Sequence, residues 1–268
     1  MYKLIALDMD GTLLNDDKTI SEENKEAIKM AKSLGYKVVL STGRPLRGIE
    51  RYLEELNLVN EDDYAIAFNG GLVQNTKTGE ILGKKLLKFE DLDRLYKLSK
   101  EFNVNIHMLS IDECITPKKN PYSDVEVNLN QIKLIEKNFS ELPKDTVVVK
   151  IMMIDSKDNL DNVEKLLPKD IYDDYCVTRS SEIFLEFSPK DIHKGMGLKI
   201  LSDHLGLKKE ELIAVGDAGN DISMIEHAGL GVAMGNAFPS VKECADYITD
   251  SNENSGVAKV IHKFMINQ

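Results

Sequence analysis

The stretch LIALDMDGTLL, residues 4–14, decides the fold of this chain of 268 residues. An apolar run over residues 3–7 ends in two aspartates and a glycine, a pattern that predicts a buried strand followed by a tight turn. Residues two apart in a strand face the same way, so Asp8 and Asp10 are expected to emerge together where the strand ends. Open α/β sheets place their ligands at that edge, which makes this turn a candidate site.

Helical and extended patterns alternate at both ends of the chain. Ser21-Glu22-Glu23-Asn24 opens a helical pattern over 21–34, a second apolar run covers 36–40, and another helix is predicted over 49–56. The same order returns late in the chain, with helices predicted over 194–205 and 222–227 and strands over 212–215 and 230–233. Strands that alternate with helices predict a parallel sheet.

These patterns predict an α/β fold in which residues 1–83 and 188–268 share one doubly wound parallel sheet. Between them, strands such as 147–154 alternate with helices near 92–102 and 160–167. Residues 84–187 are therefore expected to form an inserted α/β domain.

Composition restricts the function classes. Lysine and arginine total 34 against 45 aspartate and glutamate, for a net charge of -11, so no broad basic surface is expected for nucleic acid or acidic lipid. No apolar run approaches the roughly 20 residues of a membrane span. The three cysteines, Cys114, Cys176 and Cys244, are far apart and suggest neither a zinc site nor a disulfide framework, and a cytoplasmic location fits best.

The aspartate pair predicts a bound cation. Two unit charges 4 Å apart interact by about 4 kcal/mol at an effective dielectric constant near 20, so clustered carboxylates repel unless a cation lies among them. Mg²⁺ is the natural companion of such oxygen ligands. A calcium loop would need glycine in place of Leu13 and glutamate in place of Thr19, and an ordinary surface turn remains the other alternative.

Three later segments could contribute to the same edge. Asp217, in Gly216-Asp217-Ala218-Gly219-Asn220-Asp221, follows a predicted strand, although it could equally be a helix N-cap. Ser41-Thr42-Gly43 offers a hydroxyl and turn amides for phosphate oxygens. Lys194 lies where a helix begins, an unfavourable place for a cation without a nearby anion, yet a solvated surface lysine is the commoner case.

The four motifs DMDGT, STGR, HKG and GDAGND occur in this order, and together they resemble the haloacid dehalogenase superfamily. The chain is most similar to its Cof-type hydrolases, and among these to the YidA-type sugar phosphatases. This resemblance covers the sequence from Met1 to the C-terminal helix. It implies a Rossmann-like core, an inserted α/β cap over residues 84–187, and Mg²⁺-dependent hydrolysis of small phosphorylated metabolites.

The resemblance also implies roles for individual residues. Asp8 would attack phosphorus, and Asp10 would protonate the leaving oxygen and later activate water. Mg²⁺ would be held by the Asp8 carboxylate, the Asp10 backbone carbonyl and Asp217. The groups implied to receive phosphoryl oxygens are the Met9 amide, Thr42, Gly43, Lys194 and Asn220. Arg44 and Asp221 would support this site.

Two other functions remain open from sequence. A phosphomutase or phosphotransferase would use the same aspartyl phosphate and pass the group to another hydroxyl. A phospho-accepting signalling module also gathers acidic residues and a lysine around Mg²⁺.

Several residues of the inserted domain could contact a leaving group: Lys150, His107, Glu186 and residues 112–121. The sequence does not indicate which of them does. The sequence does not indicate an oligomeric state.

Overall fold

The computed structural model describes residues 1–267, and the chain divides into two compact units. The first comprises residues 1–44, 50–84 and the chain from His193 onward. The second comprises Pro45–Ile49 and Lys85–Ile192. Within the described residues, none of the helices combines the length and the apolar character that crossing a membrane requires.

The N-terminal part of the first unit begins with a fully buried strand and a well-capped helix. Ser21 caps that helix by accepting a hydrogen bond from the N–H of Asn24, and Gly35, at φ +87°, follows its C-terminal end. The elements in order are β1 (Leu4–Leu7), α1 (Glu22–Ser33), β2 (Lys37–Ser41), α2 (Glu50–Glu55), β3 (Tyr64–Ala67), β4 (Leu72–Asn75) and β5 (Ile81–Lys84).

The second unit follows as one α/β layer pair. Its elements are α3 (Phe89–Glu101), β6 (Asn105–Leu109), β7 (Glu113–Thr116), α4 (Pro121–Asn130), β8 (Lys133–Glu136), β9 (Lys150–Ile154), α5 (Lys157–Leu166), α6 (Lys169–Asp174), β10 (Tyr175–Ser181) and β11 (Phe184–Pro189). Apolar side chains of α3 and α5, such as Leu95 and Leu160, belong to one buried cluster with Met108, Ile151 and Phe187 of the strands. This cluster is the core of the second unit.

The chain then returns to the first unit. Its remaining elements are α7 (Lys194–His204), β12 (Leu212–Gly216), α8 (Ile222–His227), β13 (Leu230–Ala233), α9 (Pro239–Cys244), β14 (Tyr247–Ile248) and α10 (Gly256–Ile261). A single 3₁₀ turn, Gly219–Asp221, joins β12 to α8. The last helix, α10, is extended by one wider turn over His262–Ile266.

The two sheets differ in their strand directions. The first sheet has the order β14-β13-β12-β1-β2-β3-β4-β5, with parallel pairing from β14 to β3 and antiparallel pairing from β3 to β5. The second sheet has the order β10-β11-β9-β6-β7-β8 and is antiparallel except between β7 and β8. The predicted α/β class with a parallel core sheet and an inserted α/β region is confirmed.

The limits of the second unit differ from those expected for the inserted domain. The insertion was predicted over 84–187, whereas the second unit runs from Lys85 to Ile192 and also takes in Pro45–Ile49. The later end follows from β11, because its antiparallel pairing with β10 continues as far as the pair Tyr175 and Pro189.

Candidate active site

Three loops meet at one edge of the first sheet, beyond the carboxyl ends of β1, β2 and β12. Strand β1 runs into Asp8, β2 into Thr42, and β12 into Asp217. Because β2 and β12 both pair with β1 in parallel, their carboxyl ends lie side by side. The loops predicted to form the site are therefore assembled within one unit, at the edge where open α/β sheets place ligands.

Lys194, the first residue of α7, is completely buried beside two carboxylates. Its Nζ donates to Oδ1 of Asp8 at 2.5 Å and to Oδ1 of Asp221 at 2.6 Å. The exposed fraction of the side chain is 0% for Lys194 and Asp221 and 8% for Asp8. The alternative of a solvated surface lysine is wrong. An ammonium group has three donors, so one N–H remains for another anion.

Burial and crowded carboxylates shift the pKa values in this cluster. Burial and the charge of Asp221 raise the pKa of Asp8 to about 8, although Lys194 acts in the opposite direction. Burial and Asp221 also raise the pKa of Asp217. Burial alone would lower the pKa of Lys194, but the charges of Asp8 and Asp221 outweigh it and the net shift is upward. The lysine is therefore held as a cation between carboxylates.

Two of the residues expected to bind a metal ion, Asp8 and Asp217, form an oxygen-rich cluster with Asp221, which was expected as a supporting residue. Asp8, Asp217 and Asp221 offer carboxylate oxygens that all lie within 4.8 Å of one another. Thr12 Oγ1 donates to Oδ1 of Asp217 at 3.1 Å. A β-carbon on Gly11 would lie 2.8 Å from Cγ of Asp217, and the glycine has φ +81°, so only glycine leaves room there. Carboxylate oxygens crowded together in this way fit a hard divalent cation such as Mg²⁺.

Asp221 uses its second oxygen to hold the loop that carries Asp217. Its Oδ2 accepts hydrogen bonds from the backbone N–H groups of Asp217 and Ala218, both at 3.0 Å. The alternative that Asp217 is a helix N-cap is wrong, because the cap positions of the 3₁₀ turn and of α8 are Ala218 and Asp221. The Asp217 carboxylate is left to Thr12 and the aspartate cluster.

Asp10 is held by two cations. Arg44 donates to it twice, from Nε to Oδ2 at 2.8 Å and from Nη2 to Oδ1 at 2.6 Å, and Lys18 Nζ donates to Oδ1 at 2.9 Å. Burial raises the pKa of Asp10, but the hydrogen bonds from Arg44 and Lys18 outweigh it and the net shift is downward. Arg44, expected as a supporting residue, thus lies directly on the second aspartate of the motif.

The other residues expected to bind phosphoryl oxygens surround the same edge. Thr42 is 2% exposed, and its Oγ1 accepts a hydrogen bond from the N–H of Arg44 at 3.2 Å. Gly43 follows it directly. The side chain of Met9 is fully buried, so only its backbone amide could serve in the expected role.

Asn220 is exposed, and its side chain is hydrogen-bonded to a residue that was not predicted from the sequence. Its Nδ2 donates to Oδ1 of Asn69 at 3.0 Å. Asn69 also lies against the loop that follows β2, since a β-carbon on Gly43 would be 3.1 Å from Asn69 Oδ1. The structure therefore brings Asn220 and Gly43 together through one side chain.

Sequence reasoning missed Lys18, Thr12 and Asn69. The dipeptide Asn69-Gly70 signals a tight turn, and this signal could have drawn attention to it. Lys18 gave no signal, because it reaches Asp10 only through a chain reversal in which Leu14 bridges to both Asp10 and Ile20. Thr12 is part of the DMDGT motif, but its contact with Asp217 depends on the fold.

The second unit holds a buried charged cluster of its own. Lys150 pairs with Glu186 at 3.0 Å, and the two side chains are 11% and 13% exposed. Burial alone would lower the pKa of Lys150, but Glu186 and Glu126 raise it more. His107 is fully buried, and burial, helped by Lys150, lowers its pKa to about 3. These residues were considered as contacts for a leaving group, and that role stays a prediction.

The chain is similar to several known proteins. The sequence pattern of the haloacid dehalogenase-like hydrolases matches residues 5–261. YxeH of Bacillus subtilis (strain 168), whose name describes it as a candidate phosphatase, is 44% identical over 268 residues, which cover 99% of each chain. YcsE of the same strain, a 5-amino-6-(5-phospho-D-ribitylamino)uracil phosphatase, is 34% identical over 98% of this chain and 96% of its own length.

A solved structure shares the fold. The crystal structure of a haloacid dehalogenase-like hydrolase from Bacteroides thetaiotaomicron has a TM-score of 0.90 and 35% sequence identity. The similarity covers 99% of this chain and 100% of that one.

Proposed function

The chain belongs to the haloacid dehalogenase-like hydrolases and is a phosphatase of that family, and we propose that it hydrolyses phosphate monoesters through a phosphorylated Asp8, with Mg²⁺ as cofactor. The observation that carries the proposal is the ion pair of buried Lys194 with Asp8 at the carboxyl end of β1. A carboxylate nucleophile at that position needs a cation beside it and a second carboxyl group for proton transfer, and Asp10 is two residues away.

The first half of the reaction transfers the phosphoryl group to the enzyme. One Asp8 carboxylate oxygen attacks phosphorus and the bond from phosphorus to the ester oxygen breaks. Asp10 serves this half in its protonated form, which is the less favoured one beside Arg44 and Lys18, and gives its proton to the departing alkoxide. Lys194 uses its remaining N–H for a phosphoryl oxygen, beside Thr42, the Gly43 and Met9 amides, and Asn220. Positioning and charge stabilisation are the main sources of rate in phosphoryl transfer.

The second half releases phosphate. Asp10, now a carboxylate, takes a proton from water, the resulting oxygen attacks phosphorus, and the bond to Asp8 breaks to give inorganic phosphate. In the structure Oδ1 of Asp10 accepts hydrogen bonds from Arg44 and Lys18, and Oδ2 accepts one from Arg44. These cations favour the ionised form, which this half of the reaction requires at its start.

The chain's own oxygens support the metal assignment. When bound by the Asp8 and Asp217 carboxylates and the Asp10 backbone carbonyl, Mg²⁺ would keep the carboxylates ionised and stabilise negative charge on the phosphoryl group. Asp221 holds the Asp217 loop by two backbone hydrogen bonds and so orients this ligand.

The proposed substrates are small phosphorylated metabolites, sugar phosphates foremost. The support comes from the relative YcsE, whose named substrate carries a phosphorylated ribityl chain, a reduced sugar. The net charge of -11 gives nucleic acid no favourable surface. Three free cysteines agree with the proposed location in the reducing cytoplasm.

A panel of sugar phosphates and nucleotides, assayed for phosphate release with and without Mg²⁺, tests the proposal. We expect Mg²⁺-dependent turnover that is abolished by Asp8→Asn, whereas Asp93→Asn, a carboxylate of the second unit outside this site, leaves it unchanged. Turnover in isotopically labelled water would place the label in inorganic phosphate. Transfer of the group to a second hydroxyl without labelled phosphate would show a phosphotransferase, and unchanged turnover in Asp8→Asn would contradict the proposed mechanism.

A further inference from the structure

The turn that follows β3 has an unusual backbone. Phe68, Asn69 and Gly70 have φ values of +51°, +55° and +93°, so three successive residues lie in the left-handed region. L-residues other than glycine seldom adopt this region, and asparagine tolerates it better than phenylalanine does. Such strain persists only where the surrounding structure fixes it, and it concentrates at functional sites.

Hydrogen bonds attach this turn to the loop after β2. The N–H of Asn69 donates to the carbonyl of Thr42 at 2.9 Å, and the N–H of Phe68 donates to the carbonyl of Arg44 at 3.1 Å. The turn 68–70 is therefore held against the loop 42–44 by backbone hydrogen bonds. These two hydrogen bonds help to hold the strained conformation, because they satisfy both N–H groups with backbone acceptors.

The same turn lies against the helix that carries Lys194. A β-carbon on Gly70 would collide with the carbonyl oxygen of His193, and one on Gly197 would lie 2.9 Å from Cα of Gly70. Two glycines thus permit close contact between the turn and the first turn of α7. The backbone of 68–70 is fixed from two sides by elements of the proposed site.

The side chain of Asn69 completes the connection. Its Oδ1 accepts the hydrogen bond from Asn220 Nδ2 at 3.0 Å and lies over Gly43. Asn220 is exposed, and an exposed side chain without a partner would sample several rotamers. Its amide group has two N–H donors, and the bond to Asn69 uses one and leaves the other for an anion.

We propose that Asn69 is a positioning residue of the phosphoryl-binding site, which fixes the Asn220 amide beside the Thr42-Gly43 turn so that its second N–H faces a phosphoryl oxygen. This inference rests on the proposed function. The inference gives the left-handed turn 68–70 a role in the site. The turn places the side chain of Asn69 between Gly43, in the loop after β2, and Asn220, in the loop after β12.

The variant Asn69→Gly tests the role of the side chain, because glycine keeps the left-handed backbone and removes only the amide. Asn103→Gly is the matched control, since Asn103 is also a left-handed asparagine, at φ +50°, but belongs to the second unit. Fixing one side chain contributes roughly 3- to 10-fold in binding. We therefore expect Asn69→Gly to lower kcat/KM and weaken calorimetric binding of inorganic phosphate by that factor. Thermal unfolding should match that of Asn103→Gly, which should bind phosphate normally.

A double-mutant cycle shows whether Asn69 acts through Asn220. In an Asn220→Ala background, Asn69→Gly should cause no further loss of phosphate binding, because the group that it positions is already gone. An equal loss in both backgrounds, or no loss in the single variant, would overturn the inference while the enzyme remains active. A wild-type protein that releases phosphate from no ester would instead overturn the proposed function, so the two failures are distinct.

Discussion

At the scale of single residues, Lys194 explains how the carboxylates of Asp8 and Asp221 can both be buried. Removing charges from water is costly, and the cost is offset only where each charge has a partner and hydrogen bonds. Lys194 supplies both to Asp8 and Asp221 through bonds of 2.5 and 2.6 Å. Its neutral replacement would leave two carboxylates facing each other without a cation.

Replacing Lys194 by methionine should therefore destabilise the protein. Loss of one partner of a buried ion pair costs about 3–5 kcal/mol, so the free energy of unfolding in the absence of divalent cations should fall by about that amount. Lys199→Met is the control, because Lys199 lies on the same helix and its pair with Asp203 is exposed. Urea denaturation measures the free energy of unfolding of both variants. An equally small loss in the two would show that the buried lysine does not compensate the charges of the aspartates.

The sequence predicted which side chains to group, and the fold decided how they connect. The motif aspartates, Lys194 and Asn220 do lie at one edge of one sheet, and their chemical roles remain predictions. The contacts of Lys18 with Asp10 and of Asn69 with Asn220 could not be predicted. Both join residues whose proximity depends on loop conformations with positive φ, which local sequence patterns do not specify.

At the scale of elements, the strand-to-turn junction after β1 depends on Gly11. The glycine has φ +81°, and a side chain there would press on the carboxyl group of Asp217. The turn between β1 and the following chain reversal therefore sets where Asp217 can lie. Gly35 also has a left-handed φ, +87°, but has no atom within 4 Å of its β-position.

The pair Gly11→Ala and Gly35→Ala separates backbone strain from crowding. Each should lose about 1–2 kcal/mol of stability from the left-handed conformation alone. Only Gly11→Ala should also displace Asp217. We therefore expect the Gly11→Ala enzyme to need a higher Mg²⁺ concentration for half-maximal activity. A Mg²⁺ titration of both variants tests this, and the same Mg²⁺ requirement in both would show that Gly11 does not determine the position of Asp217.

Elements with strong periodicity were predicted well, and weakly patterned ones were not. The helix Ile222–His227 and the strand Leu230–Ala233 have the predicted limits. The strand expected over 147–154 begins at Lys150. The antiparallel strands β4 and β5 were not predicted, because β5 is partly exposed, short and interrupted by a register shift that weakens its pattern.

At the scale of the whole molecule, the buried His107 of the second unit makes the stability of the protein depend on pH. Burial lowers the pKa of His107 to about 3 from an ordinary 6.5. Between these values the unfolded chain binds a proton that the folded chain does not, so stability falls as the pH drops from 6.5 towards 3. In the fold, His107 Nδ1 faces Ser123 Oγ and Nε2 faces Met152 Sδ, and neither is a charged partner.

His107→Gln should therefore flatten the acid side of the stability profile. One histidine with this pKa contributes up to about 3 kcal/mol to the loss of stability between pH 6.5 and 4. The difference in slope between wild type and variant, from urea denaturation at several pH values, measures this contribution. A wild-type slope in His107→Gln would contradict the assignment.

The central claim is the phosphorylated Asp8, and trapping it is the most direct test. An activated aryl phosphate needs no proton for its leaving group, so Asp10→Asn should still accept the phosphoryl group and then lose it slowly. Acid quenching during turnover with Mg²⁺, followed by peptide mass spectrometry, should locate one phosphoryl group on Asp8. None should be found in the double variant Asp8→Asn, Asp10→Asn. The account would be contradicted if the wild type releases phosphate but neither the wild type nor Asp10→Asn carries a phosphoryl group on Asp8. A phosphoryl group on another residue would contradict it as well.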